Sequence, residues 1–255
     1  MTPRASDGTS VHEVTREYDG LGRLTAERQE HDGAADGATP AVQFGYDTLA
    51  NGGRLTSMTY PNGRILHYGY NGGVDAAVSR LSSLADDKGS GAAGTHFEGY
   101  SYLGLSTLVT RAHAETGIDL TYVKRAGEAD GAAGDQYTGL DRFGRVIDQR
   151  WVHATSGASV DRYQYGYDPD SNVLFKDNLV SPANSELYHV NGAAGGYDAL
   201  NRLTGFARGT LSDSNADGVM DTVATATRSQ DWQLDALGNW DTVTMDGMAQ
   251  TRVGP

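Results

Sequence analysis

The stretch that decides the fold is Tyr18-Asp19-Gly20-Leu21-Gly22-Arg23-Leu24-Thr25. It returns as Leu140-Asp141-Arg142-Phe143-Gly144-Arg145-Val146 and as Tyr197-Asp198-Ala199-Leu200-Asn201-Arg202-Leu203-Thr204. Its centre is turn chemistry, because Asp bonds backbone two residues on and Gly or Asn tolerates a positive φ. Its flanks alternate: Val42-Gln43-Phe44-Gly45-Tyr46 and Tyr163-Gln164-Tyr165-Gly166-Tyr167 before the turn, Arg23-Leu24-Thr25-Ala26-Glu27-Arg28 after it. Period-two alternation rich in Tyr, Val, Thr and Phe predicts half-buried strand. Each unit therefore reads as strand, turn, strand, and the fold class as all-β, built of repeated antiparallel β-hairpins.

Units anchor at Tyr18, Tyr46, Tyr70, Tyr102, Leu140, Tyr167, Tyr197 and Leu234, with a spacing of roughly 31 residues. Their fidelity varies. Tyr46-Asp47 reaches its Arg54 through a longer turn, and Tyr167-Asp168 has no Arg. Leu234-Asp235 carries Asn239 in the Arg position, and the units at Tyr70 and Tyr102 read as degenerate. A second turn, Tyr60-Pro61-Asn62-Gly63-Arg64, is a tight-hairpin signal. Polar, small-residue stretches at 31–38, 86–94 and 126–134 read as surface loops. Val74 to Leu84 has the pattern of a helical turn, which the repeat register outweighs. No composition shift splits the chain, so residues 1–255 read as one array of about eight units.

Composition agrees. Tyr supplies 14 of the aromatic residues, against 5 Phe and 3 Trp, as suits a sheet with one wet face. Gly is 34 of 255, which fits many turns. A net charge of −13 argues against nucleic acid or an anionic membrane as partner. The absence of Cys removes disulfides and thiol chemistry. No apolar run of membrane-spanning length exists, so no membrane insertion is expected. Residues 1–8 lack the apolar segment of a signal peptide.

The repeated phrase resembles the YD repeats of the RHS family, which includes the rearrangement-hotspot proteins, toxin-complex C components and teneurins. The resemblance runs over about residues 12 to 248 and is sharpest at 18–25. It implies hairpins wound as a spiral, shell-like or open curved sheet that encloses or presents a polypeptide cargo, often a toxin. It also implies an extracellular or cell-surface location. Such shells use many more repeats, and the Pro- and Asp-rich segment that closes bacterial ones is not found here. The expectation is accordingly a fragment of a larger shell or a short relative, with further YD repeats of a longer chain as partners.

Residues that carry chemistry are few. Asp213, Asn215, Asp217 and Asp221 place oxygens at positions 1, 3, 5 and 9 of a calcium loop, with Gly218 at 6 and the Val219 carbonyl at 7. Ala224 stands where the bidentate Glu would be, so a weak calcium site and an acidic Asx-rich turn are both open. The repeated Asp19, Asp47, Asp141, Asp168 and Asp198, with Arg23, Arg54, Arg145 and Arg202, read as scaffold. Asp closes the turn, and Arg packs across a neighbouring hairpin or pairs with the carboxylate. Gly22 and Gly144 serve the same turns. The seven His show no paired metal spacing, and no Gly-x-Ser-x-Gly elbow occurs. Gly89 to Gly94 matches a phosphate-loop pattern by letter but reads as linker. The expectation is a non-enzymatic scaffold. The alternatives are a carbohydrate-binding adhesion module using Trp151, Trp232 and Trp240, or a subunit that self-associates through open sheet edges.

Overall fold

The computed structural model describes residues 12–49, 52–89, 91–188 and 196–252. Readings that fall on residues 1–8, 50, 51, 90 and 253–255 lie outside these. The chain divides into two compact units, Met1–Gly117 and Ile118–Pro255. Among the described residues, each is all-β apart from a single helical turn.

In the first unit, eight strands follow one another: β1 (Glu13–Tyr18), β2 (Leu24–Glu30), β3 (Ala41–Tyr46), β4 (Leu55–Thr59), β5 (Ile65–Gly69), β6 (Ser83–Asp87), β7 (Ala93–Leu103) and β8 (Thr107–His113). Each pairs antiparallel with the next, giving a simple meander. The phrase turns join β1 to β2 and β3 to β4. Asn62-Gly63 joins β4 to β5, with Gly63 at φ 83°.

The second unit repeats the plan. It contains β9 (Ile118–Thr121), β10 (Asp148–His153), β11 (Ser159–Tyr167), β12 (Val173–Asn178), β13 (Glu186–Leu187) and β14 (Gly205–Arg208). A separate two-stranded hairpin follows, β15 (Leu211–Ser212) with β16 (Thr222–Val223). The meander resumes with β17 (Arg228–Leu234), β18 (Trp240–Met245) and β19 (Met248–Thr251), and β17 pairs directly with β14.

Four phrase hairpins carry a register shift at one place, the residue before the turn: Glu17/Tyr18, Gly45/Tyr46, Gly166/Tyr167 and Gln233/Leu234. Ser101/Tyr102 shifts likewise. Such a bulge re-aims one side chain and sharpens local twist. At Tyr46, Tyr102 and Tyr167 it presents the ring to the preceding hairpin, where the hydroxyl finds a carbonyl. Gly166 opposes Phe175, and an added Cβ would lie 2.2 Å from the Phe175 ring, so only glycine fits.

Few apolar side chains are fully buried: Ala26, Ala85 and Val109 in the first unit, and Leu120, Leu140, Val152, Phe175 and Leu187 in the second. Most strand residues are half-buried, as for a sheet with one packed face. One loop expectation needs correction. The segment 86–94 is not all loop: Asp86 and Asp87 end β6, and Ala93 and Gly94 begin β7. Burial of Ser83 and Ala85 fixes β6, and the pairing continues to Asp87 opposite Ala93. Val74–Ala77 is a one-turn helix, and it sits inside the third turn without displacing the repeat.

Candidate functional site: a clasp between hairpins

The first turn shows how the phrase works. The Asp19 N–H donates to the Arg23 carbonyl (3.0 Å), and the Gly22 N–H donates to the Asp19 carbonyl (3.0 Å). Asp19 Oδ1 accepts from the N–H groups of Leu21 (2.9 Å) and Arg23 (3.0 Å), and Oδ2 accepts from Arg23 Nε (2.7 Å). One carboxylate thus closes the turn and holds the arginine. The same set recurs at Asp141/Arg145, with Nε to Oδ2 at 2.7 Å, and at Asp198/Arg202, at 2.6 Å. Asp47 keeps both bonds from Arg54, N–H to Oδ1 and Nε to Oδ2, across its longer turn.

The held guanidinium then reaches the next hairpin. Arg23 lies over the Tyr46 ring, 4.5 Å from its centroid, and donates to the Gly53 carbonyl at 3.0 Å. Tyr46 answers, its hydroxyl donating to the Leu24 carbonyl at 2.8 Å. Arg54 repeats this on Tyr70 (4.5 Å) and the Ala76 carbonyl (2.9 Å), and Tyr70 returns a bond to the Leu55 carbonyl (2.9 Å). In the second unit, Arg145 lies over Tyr167 (4.7 Å) and donates to the Asp168 carbonyl (3.1 Å), and Tyr167 donates to the Val146 carbonyl (2.7 Å). A guanidinium over an aromatic face gains about 0.5–2 kcal/mol, more as it is desolvated. Each clasp adds two side-chain hydrogen bonds across hairpins.

The third unit is not degenerate. Arg80 pairs with Asp75 (Nε to Oδ1, 2.7 Å), lies over Tyr102 (4.4 Å) and donates to the carbonyls of Gly104 and Leu105. The Tyr102 hydroxyl donates to the Leu81 carbonyl at 2.8 Å. The helical turn displaced Asp and Arg from their usual spacing, and the surviving signal is the dipeptide Arg80-Leu81. The turn after Tyr102 has neither Asp nor Arg. Asn172 does the arginine's local work in the sixth unit, donating to Asp168 Oδ2 (2.8 Å) and across to Asn201 Oδ1 (3.0 Å). Tyr197 still donates to the Val173 carbonyl (2.9 Å). Arg202 donates to the Asp235 carbonyl (2.9 Å), and Leu234, like Leu140, stands where the remaining units place Tyr. Asn239 closes its own turn on Asp235.

The carboxylates feel these partners. The backbone N–H of Arg23, then its side chain, hold Asp19 below the usual carboxylate range; the Arg202 N–H does the same for Asp198. At Asp141 burial pushes upward, and the bonds from Arg145 outweigh it. A second cluster lies in the second unit. Buried Asp148 accepts from Arg162 Nε (2.9 Å) and Gln164 (3.2 Å), and Arg150 bridges it to Glu128 at 2.7 Å. Burial opposes the charge on Asp148, and the arginine bonds still leave its carboxyl below the ordinary range. Glu128 thereby ties the loop at 126–134 to β10.

In the Asp213–Asp221 loop, the oxygens are engaged by the loop's own backbone. Asp213 Oδ2 accepts the Gly218 N–H (2.8 Å), and Asp217 Oδ1 accepts the Val219 N–H (2.8 Å). Asn215 Oδ1 accepts the Asp217 N–H (3.1 Å). Asp221 is 2% exposed and accepts both the Ser214 N–H (2.8 Å) and hydroxyl (2.7 Å). Among the described residues, no three His, Cys, Asp or Glu side chains converge as a metal site. Trp232 stacks on Phe206, with centroids 6.1 Å apart, while Trp240 is partly exposed.

Repeated Asp turns, arginines stacked on the next tyrosine and recurring bulges before the turn define a hairpin-repeat architecture. Residues 18–65 match the RHS repeat family. No curated protein matches the sequence. Solved structures share the fold of these RHS-like repeats. The crystal structure of TcdB2-TccC3-Cdc42 aligns with a TM-score of 0.59 at 14% identity, over 94% of this chain and 12% of that one. The Tc holotoxin pore of Photorhabdus luminescens aligns at 0.58 and 14%, over 92% of this chain and 11% of that one. The chain thus spans about an eighth of the proteins whose fold it shares.

Proposed function

We propose that this chain is a segment of a non-catalytic RHS-type scaffold, one array from end to end, that encloses or presents a polypeptide cargo such as a toxin outside the cell. The observation that carries the reading is the clasp: the residues with the most chemical character are spent on joining one hairpin to the next, at turn after turn. The fold shared with far longer TcdB2-TccC3 chains supports a role as part of a larger array. The test is to express the full native reading frame and digest it with protease. A downstream polypeptide protected while the repeats are intact, and degraded once Arg54→Ala and Arg145→Ala open them, supports the reading. Equal cleavage in both counts against it.

Two neighbouring proposals have their own tests. Calcium at Asp213, Asn215, Asp217, the Val219 carbonyl and Asp221 is supported by the alternating oxygens; calorimetric titration with calcium chloride giving no heat removes it. Partly exposed Trp240 supports a carbohydrate-binding reading, and a glycan array without reproducible hits removes that.

A further inference from the structure

We propose that Asn71 is a site of spontaneous covalent modification, where the backbone nitrogen of Gly72 closes on the side-chain amide and leaves isoaspartate in the turn between β5 and β6. The inference goes beyond the scaffold reading and does not rest on it. The sequence holds Asn-Gly pairs at Asn51, Asn62, Asn71 and Asn191, of which Asn51 and Asn191 lie outside the described residues. Glycine favours this ring closure because it puts no side chain in the path of the attack. The two described pairs are held very differently. Gly63 donates its N–H to the Tyr60 carbonyl at 2.9 Å, and Asn62 Oδ1 accepts the Arg64 N–H at 3.1 Å. Nucleophile and electrophile are both tied into one tight turn. Asn71 is anchored only on its other side, its own N–H donating to Ser82 Oγ at 2.7 Å. Among the described residues, neither the Gly72 N–H nor the Asn71 side chain has a hydrogen-bond partner. The pair is exposed, and open space lies where a Cβ would stand on Gly72 and Gly73, so the backbone is free to rotate into the attacking geometry.

The step balances with water alone. The Gly72 nitrogen gives its proton to solvent and bonds to the Asn71 side-chain carbonyl carbon, and the amide nitrogen leaves as ammonia. Water then opens the cyclic imide. Opening at the backbone carbonyl gives isoaspartate, with the chain routed through the side chain, and opening at the other carbonyl gives aspartate. Either product adds a negative charge, and isoaspartate also lengthens the backbone by a methylene. The change falls next to Tyr70, the ring that Arg54 covers, and in the turn that Asp75 and Arg80 hold. Ser82, which takes the Asn71 N–H, is fixed to the Gly69 carbonyl through its own N–H (2.8 Å) and hydroxyl (3.0 Å). A longer backbone at residue 71 breaks that register, so the third turn loosens as the protein ages.

The test is to incubate the full chain at mildly alkaline pH, digest it and follow each Asn-Gly peptide by mass spectrometry. Isoaspartate is read with an isoaspartyl-specific methyltransferase and labelled S-adenosylmethionine. Asn71 is expected to convert roughly tenfold to a hundredfold faster than Asn62, the factor for two hydrogen bonds that must open before Asn62 reacts. In urea, with the fold absent, the two should convert at similar rates. Gly72 lies outside the left-handed region with room for a Cβ, so Gly72→Ala keeps the fold; it should slow Asn71 and leave Asn62 unchanged. The converted chain, separated by its added charge, should exchange amides faster over residues 70–82 and as before over 55–67. An Asn71 that stays intact in the folded chain overturns the proposal. So does an Asn62 that keeps pace with it, or a gap between the two that persists in urea.

Discussion

At the scale of single residues, the turn glycine and the clasp arginine make separable contributions. Gly22 has φ 76° with open space where a Cβ would stand, and Asn201 takes φ 57° at the same place in its turn. Gly22→Ala is expected to cost about 1–2 kcal/mol and Gly22→Asn much less, because only backbone strain differs. Urea unfolding of both variants checks this. The arginine's worth appears in a double-mutant cycle on Arg54→Ala and Tyr70→Phe or Ala. The Ala cycle should return about 1–2 kcal/mol of coupling, since Arg54 is largely shielded, and the Phe variant should lose about 1 kcal/mol for one hydroxyl bond. A cycle on Arg202→Ala and Leu234→Ala, which has no ring to stack on, should return little. These residues were legible as a recurring phrase because the turn needs Asp and Gly at fixed spacing. Asp75 and Arg80 were not, because one helical turn stretches the spacing while conserving the contact.

At the scale of elements, strand and turn positions followed from alternation and turn chemistry. What was not legible was polar burial. Asp148 and Arg150 alternate with Val152 on the buried side of β10, a pattern that reads from sequence as a solvated charged strand. Burial there is possible because Glu128 and Arg162 complete the charge balance from distant parts of the chain. Removing one partner leaves the others uncompensated, so Asp148→Ala should cost about 3–5 kcal/mol. Asp221 plays a similar part for the β15–β16 hairpin, which has only two residues per strand. Asp221→Ala frees the Ser214 N–H and hydroxyl. It should raise amide exchange throughout residues 211–223 while leaving β14 and β17 protected; uniform loss of protection would show that the small hairpin is not an independent element.

For the molecule as a whole, stability should be bounded by pH from both sides. Asp19, Asp198 and Asp235 titrate below the ordinary carboxylate range, held by Arg23, Arg202 and Asn239 respectively. A folded-state value below the unfolded one gives stability that is present above about pH 4 and is lost as pH falls further. On the alkaline side, burial pushes the Tyr100 and Tyr165 hydroxyls up to about 12 from 10. A raised value gives stability that is full below pH 10 and is lost as pH climbs toward 12. The urea midpoint should therefore be flat between pH 5 and 9 and fall on either side. A decline centred near neutrality would overturn this reading.

The clasp also bears on how such a chain changes over generations. Where the clasp is complete, a hairpin carries one half of a joint on its leading strand and the other half just past its turn. A hairpin duplicated or deleted whole leaves every remaining joint with both halves. Copy number can drift by recombination without rewriting the neighbours, and the segments at the opposite ends of the strands, bound by no joint, are free to lengthen or shrink as they do here between 30 and 41 and between 122 and 139.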